Sequence, residues 1–544
     1  MPDDLPNWAY IGRPLIASTR TTALRLCVEL RFHNIQSLRV TLEGIVHGWS
    51  RRQSPIPNPT QSFWQTSHPN PITHHRSSPS LPPRASIVVI GTGISGTFAT
   101  HELLNSHKDV NNILVLEART TCSAATGRNG GHCRPLIHSQ RAGIIDFEMR
   151  NYRAVKALAT QNGVNCDFRE VPGGGCLGFW NRVYFDEAKA AISSNLRQDS
   201  SETTTTKQNE MVRVVEDAEE LKALGLTGGV VGALVQDQYA ASLSPYKLII
   251  SMWNGMLTEF ANRVNLQTET PVTKITKTAG TGGGGGSGGW IIHTRRGDVL
   301  ADQVILATNG YTSHLLPEFE QCITPVQAQM SALIPPPESP YSKTLIPMSY
   351  GFEGVGSQDR VMSDYLVQNP ILDHEDKNPV VGRGGHLMFG GGRHVARGNG
   401  VGVSDDDYVD ADAEIYLRGL PARLSLVGSQ SETQAQPELL DIAASWTGIL
   451  GHSADGHPWV GGVPGLEGLF VCAGYAGHGM TNAGLCGRHV ARLVASSQRG
   501  EDWRQVQDNE VEMGERGEDA GVPKEYVITT ERMDAFAVMG KRTP

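Results

Sequence analysis

Apolar residues in this chain gather in short β-branched runs that stop at glycine. The first, Ser86-Ile-Val-Val-Ile90, leads into Gly91-Thr-Gly-Ile-Ser-Gly96. A helix-compatible stretch follows over 97–108, and a second apolar run, Asn112-Ile-Leu-Val-Leu-Glu117, ends on an acid. The same punctuation predicts strands at Val264–Thr268, Pro271–Ile275, Trp290–Thr294, Gln303–Ala307, Val326–Ile334, His386–Gly390 and Gly468–Ala473, and a strand pair within 165–180. Helices are predicted after Pro245 and over 480–495. The intervening polar stretches read as loops: Ser200–Gln208, the Gly/Ser linker Gly280–Gly289, the acidic run Asp405–Asp412 leading into a helix, and the insertion Gly428–Pro437. Residues 1–52 carry seven Arg and no Lys and read as an extension. Residues 53–84, with eight prolines, read as an extended lead-in, and 499–544 as a charged, irregular tail.

The order strand, glycine turn, helix, strand, acid over 86–117 is that of a dinucleotide-binding unit. Gly91 permits the tight turn, Gly93 lets backbone approach a pyrophosphate, and Gly96 lets helix and strand pack closely. The helix N-terminus at Ile94 and Ser95 offers unpaired N–H groups to phosphate. Glu117, followed by Ala118, stands where a carboxylate accepts ribose hydroxyls.

Composition narrows the classes without naming a function. The 544 residues include 47 Lys+Arg against 56 Asp+Glu, a net charge of −9, with no basic run interleaved with aromatics, which argues against a nucleic-acid partner. No stretch approaches a membrane span. Eight cysteines without a CxxC pair are too sparse for a disulfide scaffold, and their spacings do not suit zinc, so no metal site is expected. Reduced thiols and the absence of an apolar leader point to the cytoplasm. The Arg-rich start leaves a mitochondrial presequence as the alternative.

Two later segments carry further chemistry. Thr126-Gly-Arg-Asn-Gly-Gly-His-Cys-Arg-Pro135 is a small-residue loop. Its backbone can run beneath a long cofactor, with Arg128 or Arg134 near anionic groups and Asn129, Gly130 and Gly131 as contacts. Ala307-Thr-Asn-Gly310 is another glycine turn after a strand, making Thr308, Asn309 and Gly310 candidates. Near the end, Gly474-Tyr-Ala-Gly-His-Gly479 again delivers a strand into a helix, so Gly477, His478 and Gly479 are candidates as well. One cofactor seated at both ends of the chain suits FAD, whose isoalloxazine needs its own place. His478 serves that ring or caps the helix, and His132 tunes the site or fills its loop. Arg134 and Arg393 either bind a substrate carboxylate through paired hydrogen bonds or are structural. Asp455 reads as a turn residue rather than a base.

Taken together, Ile90–Gly96, Ala125–His132, Ala307–Gly310, Phe389-Gly-Gly-Gly392 and the region Trp446–Gly479 resemble the FAD-dependent oxidoreductases of the D-amino acid oxidase family, and within it fungal members akin to sarcosine oxidase and gamma-glutamylputrescine oxidase. The resemblance covers roughly 54–495. It implies an α/β fold in which a Rossmann-like FAD-binding domain (84–165, 245–315, 441–495) is interleaved with a mixed-sheet α+β substrate domain (166–244, 316–440). It also implies oxidation of a C–N bond of a small-molecule amine or amino acid by hydride transfer to flavin N5, with oxygen or another acceptor taking the electrons. It places Val272, on a strand pair 264–275, at the adenine side. Gly448 stands where some relatives carry a flavin-linking cysteine, so non-covalent FAD is expected. An NAD(P)-dependent dehydrogenase, which leaves 445–495 unexplained, and a catalytically degenerate flavin-binding protein are the alternatives.

Overall fold

The computed structural model describes residues 54–137, 141–161, 164–198, 211–278, 289–355, 363–370, 384–427, 436–516 and 521–540. The extension 1–52, Ser200–Gln208, nearly all of the Gly280–Gly289 linker and most of the Gly428–Pro437 insertion lie outside them.

Two large sheets organise the chain. In the first, Arg84–Ile90 lies at the centre, parallel to Ile113–Leu116 on one side and to Gly297–Leu306 on the other. The order continues through Val264–Gln267 at one edge and, at the other, the hairpin strands Trp290–Thr294 and Val272–Lys277. Gly297–Leu306 is long enough to change partners along one edge. Its first half pairs with Trp290–Thr294 and its end with Leu469–Ala473, so one strand separates the last strand of this sheet from Arg84–Ile90. Strict in-and-out alternation is absent here: Ile87, Val88 and Val89, like Ile113 to Leu116, are buried on both faces, the pattern of parallel strands covered by helices.

Two of those helices cross at close range. Ile94–Ser106 follows the first strand and Ala483–Gln498 the last. A Cβ at Gly487 would fall 2.2 Å from the Ser95 carbonyl, and one at Gly96 2.0 Å from that of Gly91. The glycines therefore set how tightly helix meets helix and strand.

The second sheet has the order Ile442–Ser453, Ile323–Leu333, Gly384–Gly391, Ser363–Pro370, Ser349–Glu353, Gly175–Phe179, Gly232–Gln236, Val212–Val215. It is antiparallel except where Ser349–Glu353 runs parallel to Gly175–Phe179.

Several local expectations need correction. The segment 165–180 does not form a strand pair: Arg169–Glu170 joins a small three-stranded sheet and Gly175–Phe179 the large one. Val264–Gln267 and Val272–Lys277 likewise sit at opposite edges of the first sheet. The lead-in holds a helix, Phe63–Ser67, closed by a Ser62/Gln65 capping box and anchored by buried Trp64. The tail is ordered through Trp503–Glu515 and Thr530–Gly540. Buried Trp503, Tyr526 and Phe536 hold it, which a count of its charges obscures. Asp455 is bound at a turn, accepting from Ser453 Oγ and His457 N and pairing with Arg532 from the tail.

Candidate active site

A cavity of about 680 Å³ runs between the two sheets. It gathers Gly91, Gly93, Ile94, Ser95, Glu117, Ala118, Arg128, Asn129, His132, Arg134, Val272, Thr308, Asn309, Gly310, Arg393, Gly477, His478 and Gly479. Of the residues singled out by sequence, Gly96, Gly130 and Gly131 stand outside its wall. Gly96 serves helix packing, as its motif role requires. Gly130 and Gly131 are not cavity contacts: Gly130 N–H donates to the Tyr365 hydroxyl at 2.6 Å, and a Cβ at Gly131 would fall 1.9 Å from the Leu243 carbonyl. They press the loop against neighbouring chain.

At one end, Glu117 is buried and accepts from Thr92 N (3.0 Å), Thr92 Oγ1 (2.6 Å) and Arg119 N (3.0 Å). These bonds fix the carboxylate at the end of its strand. Gly91 has φ +111° and Gly93 N-caps the helix with no side-chain cap, so the first turn of Ile94–Ser106 presents backbone N–H groups to the cavity. Thr126 Oγ1 accepts from Ile94 N.

The Arg128–Asn129 loop is braced by residues the sequence did not flag. Arg128 lines the cavity, but its guanidinium donates to Ser123 O, Thr60 O, Thr60 Oγ1 and Thr447 O. Asp406, within the run read as a loop, is fully buried and pairs with Arg119 at 2.9 Å and Arg128 at 3.5 Å. Burial lowers Arg128 to about 10, against the pull of Asp406. Trp64 and Trp446 donate to the carbonyls of Asn129 and Arg128, both at 2.7 Å. Arg128 thus holds the loop's shape rather than offering a free charge.

The two chain ends meet across the cavity. Asn309 Oδ1 accepts from Gly474 N at 3.0 Å, and the Tyr475 hydroxyl bonds Ser95 Oγ at 2.7 Å. In the turn they support, Gly477 has φ +90° and a Cβ there would meet nothing within 4 Å. The final helix begins with a short 3-10 turn, Gly479–Thr481, and neither His478 nor Asn482 caps it through a side chain. His478 caps this turn through its backbone, its carbonyl accepting from Thr481 Oγ1 at 3.2 Å and Asn482 Nδ2 at 3.0 Å, and the residue also lines the cavity.

At the wall formed by the second sheet, His132 Nε2 lies 3.0 Å from Ser349 Oγ and its ring stacks on Tyr365. Burial and then the Arg134 charge depress His132 well below the ordinary histidine value, and the same two causes bring His478 to about 4. Both are neutral at physiological pH. Arg134 is 9% exposed and lines the cavity, and among the described residues its guanidinium has no hydrogen-bond or ion-pair partner. Gly175 makes room for it, since a Cβ there would fall 2.5 Å from its side chain; Gly351 lies beside it too. The Glu353 carboxylate on the same wall acts on Arg134 through space without pairing with it, so the guanidinium keeps open donors on which a further anion can sit. Arg393 is half-buried and donates Nε–H to Asn399 O at 3.1 Å.

The donor set fits a long dinucleotide: a fixed carboxylate at one end, the N-terminus of Ile94–Ser106 behind a glycine turn, and an open glycine face at the other end. Residues 86–493 match the family model described as FAD dependent oxidoreductase. The chain is 23% identical over 459 residues to "Probable oxidoreductase OrdL" of Rhizobium meliloti (strain 1021), covering 81% of this chain and 90% of that protein. It is 24% identical over 430 residues to the gamma-glutamylputrescine oxidoreductase of Escherichia coli (strain K12), covering 75% and 83%. Among solved structures, glycine oxidase from Geobacillus kaustophilus superposes with a TM-score of 0.54 at 17% identity, covering 76% of this chain and 95% of that one. L-proline dehydrogenase from P. horikoshii gives 0.54 at 18%, covering 80% and 100%.

Proposed function

The chain belongs to the FAD-dependent oxidoreductase family, and from that premise we propose that it oxidises the C–N bond of an amino acid whose carboxylate pairs with Arg134. The observation that carries this reading is the buried Arg134 guanidinium on the cavity wall, which among the described residues makes no hydrogen bond or ion pair and feels Glu353 only through space. A carboxylate matches its planar donors through two hydrogen bonds and supplies the missing charge.

Glu117 would hold the ribose hydroxyls, and the Ser95 N–H at the start of the helix the pyrophosphate, the Ile94 N–H being donated to Thr126 Oγ1. Gly477, His478 and Gly479 would seat the isoalloxazine. When bound, FAD supplies the hydride acceptor. The chain's own part is binding and orientation. Arg134 fixes the carboxylate and with it the adjacent carbon. The burial that keeps His132 and His478 neutral also disfavours a substrate ammonium, leaving the uncharged amine from which hydride departs. No strong base is required at the site.

The FAD reading displaces the NAD(P) alternative, which has no use for the turn Gly474–Gly479. Non-covalent attachment is supported at the cysteines: the seven described ones are buried, and none lines the cavity. Unpaired thiols also suit a reducing compartment, and we place the protein in the cytoplasm, with the mitochondrion as the alternative. Among the described residues no helix is long and apolar enough to cross a membrane.

The test is a substrate panel on the purified, flavin-loaded protein: D- and L-amino acids, N-alkyl amino acids and the matching amines without a carboxylate. Peroxide and dye readouts report the electron acceptor, and acid precipitation reports whether FAD is released. Turnover confined to carboxylated amines is expected. Equal turnover of the decarboxylated amines removes Arg134 from substrate binding.

A further inference from the structure

A second polar residue faces the cavity without a role in the reading above. His452 sits near the end of the strand Ile442–Ser453 and is 5% exposed, and among the described residues neither ring nitrogen has a hydrogen-bond partner. Its neighbour Gly451 accepts from Ala476 N, so the ring is set beside the turn Gly474–Gly479. Its charged surroundings differ from those of the other two cavity histidines. Arg134 acts on His132 and His478, whereas His452 feels Arg393 and His478.

We propose that His452 is a specificity residue that reads an uncharged hydrogen-bonding group, a carboxamide, on the far side of the substrate from the carboxylate held by Arg134. This rests on the Arg134 reading.

The argument is one of matching donors and acceptors. Burial, reinforced by Arg393 and His478, holds His452 well below the ordinary histidine value, so the ring is neutral. A neutral imidazole has one N–H donor and one bare nitrogen acceptor. Leaving either unpaired in a buried site forfeits its lost hydration without compensation. An alkyl tail satisfies neither nitrogen. A carboxylate accepts from the N–H but leaves the bare nitrogen unpaired. A carboxamide meets both, with its carbonyl accepting and its NH₂ donating. A site that hydrogen-bonds a substrate group rejects analogues lacking it more strongly than an apolar pocket rejects a missing methylene.

Non-reacting acids of one length test this on the FAD-loaded protein: succinamate (acid plus amide), succinate (acid plus acid) and pentanoate (acid plus alkyl). Binding is read from perturbation of the flavin absorbance spectrum and, independently, from thermal stabilisation. Succinamate is expected to bind at least tenfold tighter than pentanoate and tighter than succinate. His452→Phe should abolish that preference while pentanoate binding and FAD content hold, and His452→Gln, which keeps a donor and an acceptor, should restore it. If His452→Phe does not fold, His452→Leu serves the same comparison. Pentanoate binding as tightly as succinamate, or a preference unchanged by His452→Phe, overturns the proposal while leaving Arg134 in place. Failure of all three acids to bind removes the Arg134 reading and this one together.

Discussion

Ser95 Oγ and the Tyr475 hydroxyl lie 2.7 Å apart across 380 residues of sequence, joining the first glycine-led helix to the last glycine turn. Both side chains are buried. Tyr475→Phe keeps the ring and leaves the Ser95 hydroxyl unpaired, a loss of about 1–3 kcal/mol. Because the bond sets the spacing of the two ends of the cradle proposed for FAD, part of the loss should fall on cofactor affinity, weakening it by roughly tenfold. Fluorescence of released FAD measures this. An unchanged dissociation constant would show that the two ends are positioned by packing alone.

Gly93→Val should yield folded protein without FAD. A Cβ at 93 already lies 3.1 Å from Thr126 Oγ1, which is engaged by Ile94 N, and the rest of the valine would project where the backbone faces the cavity. A variant that purifies with stoichiometric flavin would show that pyrophosphate is not held there.

In the seat proposed for the isoalloxazine His478 would act as a neutral donor, since burial and Arg134 bring it to about 4. His478→Ala is expected to retain FAD and to shift its reduction potential negative by about 10–30 mV, the equivalent of one hydrogen bond of about 0.5–1.5 kcal/mol. Between pH 5.5 and 8 the variant's pH profile should parallel that of the parent protein. A step near pH 6.5 that is present in the parent and lost in the variant would contradict a neutral His478.

Arg532 ties the C-terminal segment to the body of the protein. It donates to Asp455 at 2.8 and 3.0 Å and lies 3.7 Å over the Trp459 ring. Burial alone would raise Asp455, but the ion pair outweighs it and holds the carboxyl below its usual value. A depressed folded value means that this contribution is present above the ordinary aspartate range and is lost as pH falls through the folded value. Arg532→Met should cost about 3 kcal/mol at neutral pH, and the gap to the parent should close as pH drops below about 4. Thermal melts across that range decide it. A constant gap would place the effect in packing on Trp459 instead.

Much of this was legible in sequence because it is local. Gly91, Gly93 and Glu117 sit at fixed offsets around one strand–turn–helix unit, and the turn Gly474–Gly479 repeats that punctuation. What sequence did not reveal depends on distant partners. Asp406 reads as one acid in a polar run, yet it is the shared counter-ion of Arg119 and Arg128. Arg128, by the same token, looks available in sequence and is saturated in the fold. His452 lies inside a recognisable motif, but nothing local marks both its nitrogens as unpaired. Gly175 and Gly351 become meaningful only once Arg134 is seen to occupy the space they leave. Tail order rests on three aromatics scattered among charges.

The most direct test of the account is anaerobic reduction of the FAD-loaded protein, followed by the loss of the long-wavelength flavin absorbance, in the parent and in Arg134→Met. The account predicts rapid bleaching by a carboxylated amine, slow or absent bleaching by the same amine without its carboxylate, and an apparent dissociation constant raised about 100-fold or more in Arg134→Met, as expected when one partner of a buried charge pair is removed. Bleaching by the two amines at equal rates, or parent-like reduction of Arg134→Met, would contradict it.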